Sequence, residues 1–366
     1  MIRLEKVTKR YGEKVAVNEL SLEVGKGEVC VLIGPSGCGK TTTLRMINRL
    51  VKPSAGHIFI DGQDTDDIDT EKLRLSIGYA IQSVGLFPHM TVSENIAVIP
   101  KLLHWEKSRI TKRVEELLDL VGLSPSGYTD KYPTQLSGGE AQRIGVARAL
   151  AADPPILLMD EPFGAVDPLT RERLQSQFIY IQQALKKTIV LVTHDLDEAI
   201  RLADRIAIME SGKLVQYDTP ETILSKPINK FVRDFIGADR ALKRLSRLNV
   251  SNFIKPAASV NINKSPAEAA ASAGNYRWLW VVDDSRRLIG WVWRDSLAQS
   301  VSIREAMNEK DASEIALSDK ASLREALSRM LALGFKYIPV VDDKKRLVGE
   351  LALGDVEAAT TEAENK

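Results

Sequence analysis

Two segments of this 366-residue chain carry residue types whose spacing points to phosphate chemistry. The first is Gly34-Pro-Ser-Gly-Cys-Gly-Lys40-Thr41. Glycines let successive backbone N–H groups curl around a phosphate chain, and a following helix N-terminus adds partial positive charge. The candidate contacts are Gly34, Pro35, Ser36, Gly37, Cys38, Gly39, Lys40, Thr41 and Thr42. Lys40 would bring a cation to the β- and γ-phosphates, and Thr41 a hydroxyl to Mg²⁺. The second is Ile156-Leu-Leu-Met-Asp160-Glu161. Four apolar residues ending in two carboxylates describe a buried strand that delivers acids at its C-terminal end, where ligands bind in open α/β sheets. Asp160 is expected to hold Mg²⁺ through water, and Glu161 to polarise an attacking water as general base.

The elements needed to position these groups are present. Val29–Ile33 is an apolar strand leading into the glycine loop, and Thr42–Leu50 reads as the helix after it. Ile156–Met159 follows Pro154-Pro155, and Thr188–Val192 and Ile206–Met209 are further β-branched runs. Continuous apolar strands separated by helices predict an α/β fold with a parallel sheet covered on both faces. Arg109–Leu120 reads as one such helix, with Ile110, Val114, Leu117 and Leu118 on one face.

After about Phe235 the texture changes. Residues 236–250 read as a short basic helix or connector carrying Arg240, Lys243, Arg244 and Arg247. Such a stretch is either a solvated linker or a salt-sensitive contact to anionic lipid. Beyond it the sequence repeats itself: Val281-Val-Asp-Asp-Ser-Arg-Arg-Leu-Ile-Gly290 matches Val340-Val-Asp-Asp-Lys-Lys-Arg-Leu-Val-Gly349. Each copy predicts strand, charged turn, strand. Capping boxes at Ser265–Glu268 and Ser322–Glu325 start a preceding helix, and Gly274 and Gly334 stop it. Two helix–strand–strand units make one small α+β domain. Trp278, Trp280, Trp291 and Trp293 fall in the first unit. Alternation puts them on strand faces, either as sheet core or as an aromatic platform for a base or a quaternary ammonium.

Composition sets bounds. Fifty basic against 49 acidic residues give no general attraction to nucleic acid. The longest apolar runs fall far short of the ~20 residues that cross a bilayer. Two cysteines, Cys30 and Cys38, make no disulfide framework, which fits a reducing cytosol.

Between the two phosphate segments lies Leu136-Ser-Gly-Gly-Glu140-Ala-Gln-Arg143. It resembles the signature motif of ATP-binding-cassette (ABC) ATPases, and the resemblance runs from residue 1 to about 236. It implies a P-loop NTPase with a helical subdomain. It also assigns roles: Tyr11 stacks on adenine, Gln82 joins Thr41 and Asp160 at Mg²⁺, and His194 contacts the γ-phosphate. Asp167 falls in the D-loop. Ser137, Gly138, Gly139 and Glu140 open a helix and so form an anion site, which in the family closes on ATP held by the other subunit of a homodimer. The cofactors implied are ATP and Mg²⁺.

Only about 95 residues separate Lys40 from Leu136, with no sustained heptads, which disfavours DNA-maintenance cassettes. A single cassette disfavours translation factors. The run Gln82 to Ile96, with an exposed Leu86-Phe87-Pro88, resembles importers that dock a helix of their membrane subunits there. The nearest resemblance is to ATPase subunits of osmoprotectant importers, which use permease subunits and an extracytoplasmic binding protein. The alternatives are an importer for another small solute such as an amino acid, or an ABC ATPase acting on nucleic acid or ribosomes. The C-terminal repeat resembles tandem CBS domains, which in the family bind adenine nucleotides or cyclic dinucleotides, or respond to ionic strength. Asp355 matches their ribose-binding acid, while Ala352 stands where the pattern has Ser or Thr. Repeat one has Trp293 and Asp295, one residue short. The expected organisation is an ATPase domain at 1–236, a basic linker at 237–250 and a tandem CBS domain at 251–366, peripheral on the cytoplasmic side of the inner membrane.

Overall fold

The computed structural model describes residues 1–81, 85–164, 167–274, 276–307 and 312–361. The chain divides into two compact units, Met1–Ile223 with Pro227–Ile236, and Leu224–Lys226 with Gly237–Lys366.

The first unit holds strands β1 (Ile2–Tyr11), β2 (Lys14–Val24), β3 (Val29–Ile33), β4 (Ala55–Ile60), β5 (Gln63–Asp64), β6 (Ile77–Ala80), β7 (Ile156–Asp160), β8 (Thr188–Val192), β9 (Arg205–Glu210) and β10 (Lys213–Asp218). Its helices include α1 (Lys40–Ile47), α2 (Thr70–Leu75), α3 (Val92–Leu102), α4 (Lys107–Leu120), α5 (Pro125–Tyr128), α6 (Gly138–Leu150), α7 (Pro168–Leu185) and α8 (Leu196–Leu202). A six-stranded sheet runs β10-β9-β3-β8-β7-β6, parallel except for the β10 edge. Every residue of β3, β7 and β8 is buried, which is why their sequences are unbroken apolar runs rather than alternating ones. A second sheet, β2-β1-β4-β5, is antiparallel. It shares a core with β3 through Val17, Leu20, Leu44 and Met46. The helical segment α3 to α6 includes α4, whose Ile110, Val114, Leu117 and Leu118 are the buried face.

In the second unit, α11 (Arg240–Leu245) follows helices Pro220–Ser225 (α9) and Lys230–Ile236 (α10) of the chain. Two three-stranded sheets come next: β11 (Ser259–Asn261), β12 (Trp278–Val282) and β13 (Leu288–Trp293), then β14 (Leu317–Ser318), β15 (Tyr337–Val341) and β16 (Leu347–Ala352). In each, the first pair is parallel and the second antiparallel. The repeat is therefore strand–helix–strand–strand, one short strand longer than expected. Helix Pro266–Ser272 (α12) carries both bonds of its capping box. Helices Arg294–Leu297 (α13), Ile303–Ala306 (α14) and Ala312–Ile315 (α15) precede Leu323–Leu333 (α16), which ends on Gly334 at φ 70°. Leu353–Thr361 (α17) closes the chain's described part.

The expected basic linker needs correction. Leu245 and Val250 are fully buried with Leu323, Met330 and Val356. Apolar residues interleaved with the cations fold 240–250 into the second unit. Lys243 pairs with Asp239, and Arg244 donates to the Ala359 carbonyl at 2.5 Å. These two cations are thereby committed within their own unit.

Candidate functional site

Strand β3 ends at Gly34, where a Cβ would lie 2.1 Å from the Met209 carbonyl oxygen. The loop then turns through Gly39, at φ 103°, whose missing Cβ would lie 2.5 Å from the Ala16 carbonyl. Only glycine fits either position. Gly39 occupies the N-cap of α1 without a side-chain cap, and the first turn holds no acid. The first N–H groups of a helix have no partner within it, and no side chain caps them here, an arrangement suited to an anion. Lys40 is 8% exposed. Its Nζ donates to the carbonyls of Gly34 at 2.7 Å and Pro35 at 3.0 Å.

β7 brings Asp160 to the same end of the sheet, 3% exposed. Its Oδ1 accepts from the Thr41 hydroxyl at 3.0 Å, so one hydroxyl and one carboxylate meet where a hard cation would sit. Burial pushes the Asp160 carboxyl above its usual range, partly offset by the Thr41 hydrogen bond and by Arg45. Glu161 follows at φ 49°, a left-handed conformation that costs a non-glycine residue. Its Oε1 lies 3.3 Å from His194 Nδ1.

A cavity of about 640 Å³ is lined by Tyr11, Ser36, Gly37, Gly39, Lys40, Thr41, Thr42, Glu161 and His194, together with Lys14 and Ala16. Gly34, Pro35 and Cys38 shape the loop without lining the cavity, and Cys38 is buried. Lys14 and Ala16 were not foreseen. They arrive because β1 and β2 form a hairpin that pairs Tyr11 with Lys14. Gln82 lies outside the described residues. Ser137, Gly138, Gly139 and Glu140 do not line this cavity. Ser137 N-caps α6 in a capping box with Glu140, and Tyr128 donates to Glu140 at 2.5 Å. That hydrogen bond and the Ser137 amide hold the Glu140 carboxyl below its usual range. Asp167 N-caps α7 through the Thr170 N–H at 3.0 Å.

The turn bearing His194 is braced by groups no motif had marked. Thr193 donates to Glu198 Oε2 at 2.5 Å, and the Asp195 N–H donates to the Thr193 hydroxyl at 3.0 Å. Asp195 in turn lies 3.6 Å from Arg171. Burial pushes the Glu198 carboxyl up to about 7, against the Thr193 bond, with Asp195 adding to the rise. Between the ordinary carboxylate value and about 7, the native protein therefore holds this proton more tightly than the unfolded chain. Stability contributed by the neutral form is lost as pH rises through that window. Glu198→Gln keeps the acceptor and removes the titration. Its melting temperature should exceed the wild type's by a margin that grows between about pH 5 and pH 8, reflecting on the order of 3 kcal/mol. A margin independent of pH in differential scanning fluorimetry would contradict it.

In the second unit the four tryptophans do not form one open platform. Trp280 and Trp291 are 4% and 7% exposed and pack with Ile315 and Leu347. Trp280 Nε1 donates to Glu350 Oε2 at 2.8 Å. Trp278 lies 4.6 Å from Tyr337, ring to ring, and Trp293 remains 47% exposed. Asp355 pairs with Lys255 at 2.5 Å. It borders a cavity of about 280 Å³ with Asn252, Phe253 and Ile254, and its Oδ2 is buried without a described partner.

Known proteins match this architecture closely. The ABC transporter family profile matches residues 17–164, and the CBS domain profile matches 303–360. The osmoprotectant import ATP-binding protein OsmV of Salmonella typhimurium is 45% identical over 96% of this chain and 94% of its own length. The chain belongs to the ABC transporter family. The choline transport ATP-binding protein OpuBA of Bacillus subtilis is 48% identical, covering 95% of this chain and 93% of its own. Among solved structures, the dimeric ABC transporter cassette MJ0796 superposes on 60% of this chain and 99% of its own, with a TM-score of 0.57 and 35% identity. This ABC ATPase thus joins an ATP-hydrolysing cassette to a CBS domain at its C-terminal end. Among the described residues no helix is long and apolar enough to cross a membrane.

Proposed function

We propose that this chain is the ATP-hydrolysing subunit that powers import of a quaternary-amine osmoprotectant. The observation that carries the reading is the reach of the likeness. Relatives named for osmoprotectant, choline and glycine betaine/carnitine/choline transport match over 95–96% of the chain, C-terminal unit included. The spermidine/putrescine import protein PotA of Chromobacterium violaceum matches 66%. The shared C-terminal unit favours the osmoprotectant class over other importers, and over ABC ATPases that act on nucleic acid or ribosomes.

In this reading adenine stacks on Tyr11 and the phosphates lie on the loop from Gly34 to Thr42. Thr41 and Asp160 offer oxygen donors of the kind Mg²⁺ takes, with Gln82 as a third. The ion supplies neutralisation of phosphate charge. Glu161 polarises the attacking water, and His194 faces the γ-phosphate. Ser137 to Glu140 of a second copy complete the site, so two chains close on two ATP. Asp355 and its cavity form the candidate effector site for an adenine nucleotide or cyclic dinucleotide. The exposed Trp293 borders a second candidate surface.

Membrane coupling has its own candidate groove, a cavity of about 280 Å³ bordered by Phe87, Tyr79, Val98, Ile99 and Arg148. Phe87 is 40% exposed, and Arg148 braces its loop by donating to the Gly85 carbonyl at 2.8 Å. The proposed occupant is a helix of the permease, which would place the subunit on the cytoplasmic face of the inner membrane. Reconstituted with its permease and extracytoplasmic binding protein, the complex should hydrolyse ATP faster with glycine betaine, choline or carnitine than with spermidine. Phe87→Asp should leave ATPase activity of the isolated subunit within about twofold and abolish co-purification with the permease. Stimulation by spermidine alone would overturn the substrate class, and undiminished co-purification the groove.

A further inference from the structure

Gln142 is a polar residue in an unusual place. It sits in the middle of α6, 5% exposed. Its Nε2 donates to the main-chain carbonyl of Glu161 at 3.0 Å. Its Oε1 is buried with no hydrogen-bond partner among the described residues. Burying an amide with half its capacity unmet is unfavourable, and an apolar side chain would fill the same space at lower cost. What sets the side chain apart from an apolar one, among the described residues, is its hydrogen bond to the Glu161 carbonyl.

That interaction falls on a strained point. Glu161 holds φ at 49°, and its N–H donates to the Val192 carbonyl at 2.9 Å. The Glu161 carbonyl accepts from Gly164 N–H at 3.2 Å as well as from Gln142. A left-handed non-glycine residue persists only when its surroundings over-determine it, and Gln142 is one of those determinants. The other end of the lever is Ser137, the N-cap of the same helix. Five residues of helix, about 7.5 Å, separate them. α6 thus presents Ser137 at its tip and grips the peptide that aims Glu161.

We propose that Gln142 is a positioning residue that reports engagement of the Ser137 end of α6 to the backbone of the catalytic base Glu161. The inference rests on the dimer reading above. There, Ser137 meets the ATP bound by the partner while Glu161 serves the ATP bound by its own chain. A shift of α6 on closure at one site then changes the aim of the base at the other, and the two sites fire cooperatively.

The test uses the full chain. Gln142→Met keeps the length and removes the donor. Expected are a kcat lower by about tenfold, an ATP KM within twofold of wild type and a Hill coefficient falling from near 2 towards 1. Melting temperature should be unchanged or raised, and ATP-driven dimerisation in the Glu161→Gln background unchanged. An unchanged kcat and Hill coefficient overturn the proposal. So does a parallel loss of melting temperature, ATP binding and kcat, which marks a structural role only. If Gln142→Met does not fold, Gln142→Glu decides. Its protonated form can donate to the Glu161 carbonyl and its ionised form cannot, so its kcat relative to wild type should recover as pH falls; a flat ratio overturns the proposal. If Glu161→Gln alone fails to dimerise on ATP, the dimer reading fails first, independently of Gln142.

Discussion

Glu161→Gln should stop turnover and accumulate an ATP-loaded dimer. The substitution is nearly isosteric, so the left-handed turn, the bond to Val192 and the cavity lining persist. What is lost is a carboxylate whose side chain is 20% exposed and whose Oε1 sits 3.3 Å from His194. Removing a positioned general base typically costs 10²–10⁴-fold in rate. Phosphate release should therefore fall by at least about a hundredfold. Nucleotide affinity should be kept, because the loop from Gly34 to Thr42 is untouched. With hydrolysis blocked, closure is no longer reversed by product formation. Size-exclusion chromatography with ATP and Mg²⁺ should show the mass doubling, and with ADP it should not. Sustained phosphate release, or a monomer at saturating ATP, would remove the base assignment or the dimer respectively.

Much of this site was legible because its chemistry is local. The turn at Gly34–Thr41 needs glycine at defined positions, and strands buried on both faces must be apolar throughout. β3 and β7 therefore announce themselves and deliver Lys40, Thr41, Asp160 and Glu161 to one end of a sheet. The groups that went unseen act across distance. Gln142 sits on a helix face of small and apolar residues, Gly145, Val146 and Ala149, and its role depends on a peptide nineteen residues away. Glu198 lies four residues past His194, and only burial makes it unusual. The antiparallel sheet was missed because β1 breaks its alternation with register shifts between Leu4 and Arg10.

In the C-terminal unit the structure follows one of the two readings the tryptophans offered, sheet core, for Trp280 and Trp291. Alternating tryptophans do share strand faces, and Trp280 lies opposite Trp291 in register. The face they share is the inner one. In the second repeat the same register places Pro339 against Glu350, and that carboxylate accepts the Trp280 indole N–H instead of contributing a ring. The asymmetry between repeats is thus a packing complement, large rings in one half meeting a buried acceptor in the other. Two of the cations of 240–247, Lys243 and Arg244, find their partners in Asp239, a turn beforehand, and Ala359, in the last described helix.

Lys40→Ala should separate nucleotide binding from everything downstream of it. The Lys40 ammonium is buried and donates to the Gly34 and Pro35 carbonyls. Those bonds hold a cation in place at the mouth of α1, so little side-chain ordering is left for phosphate binding to supply. Hydrogen bonds to charged groups contribute about 1.5–3 kcal/mol each, and loss of one such contact alone weakens affinity by roughly 10- to 150-fold. Two phosphates share this lysine in the proposed pose, so ATP affinity should fall by at least about 30-fold, measured by titration with a fluorescent ATP analogue. The fold should survive, because Lys40 itself lines the open cavity, and truncating it lets water reach the Gly34 and Pro35 carbonyls. The double variant Lys40→Ala with Glu161→Gln is the sharper case. If ATP holds the dimer together, blocking hydrolysis cannot rescue a loop that no longer grips phosphate, and the double variant should stay monomeric at ATP concentrations that fully dimerise Glu161→Gln. A dimer that forms regardless would mean that contacts between the chains, and not the nucleotide, supply the association.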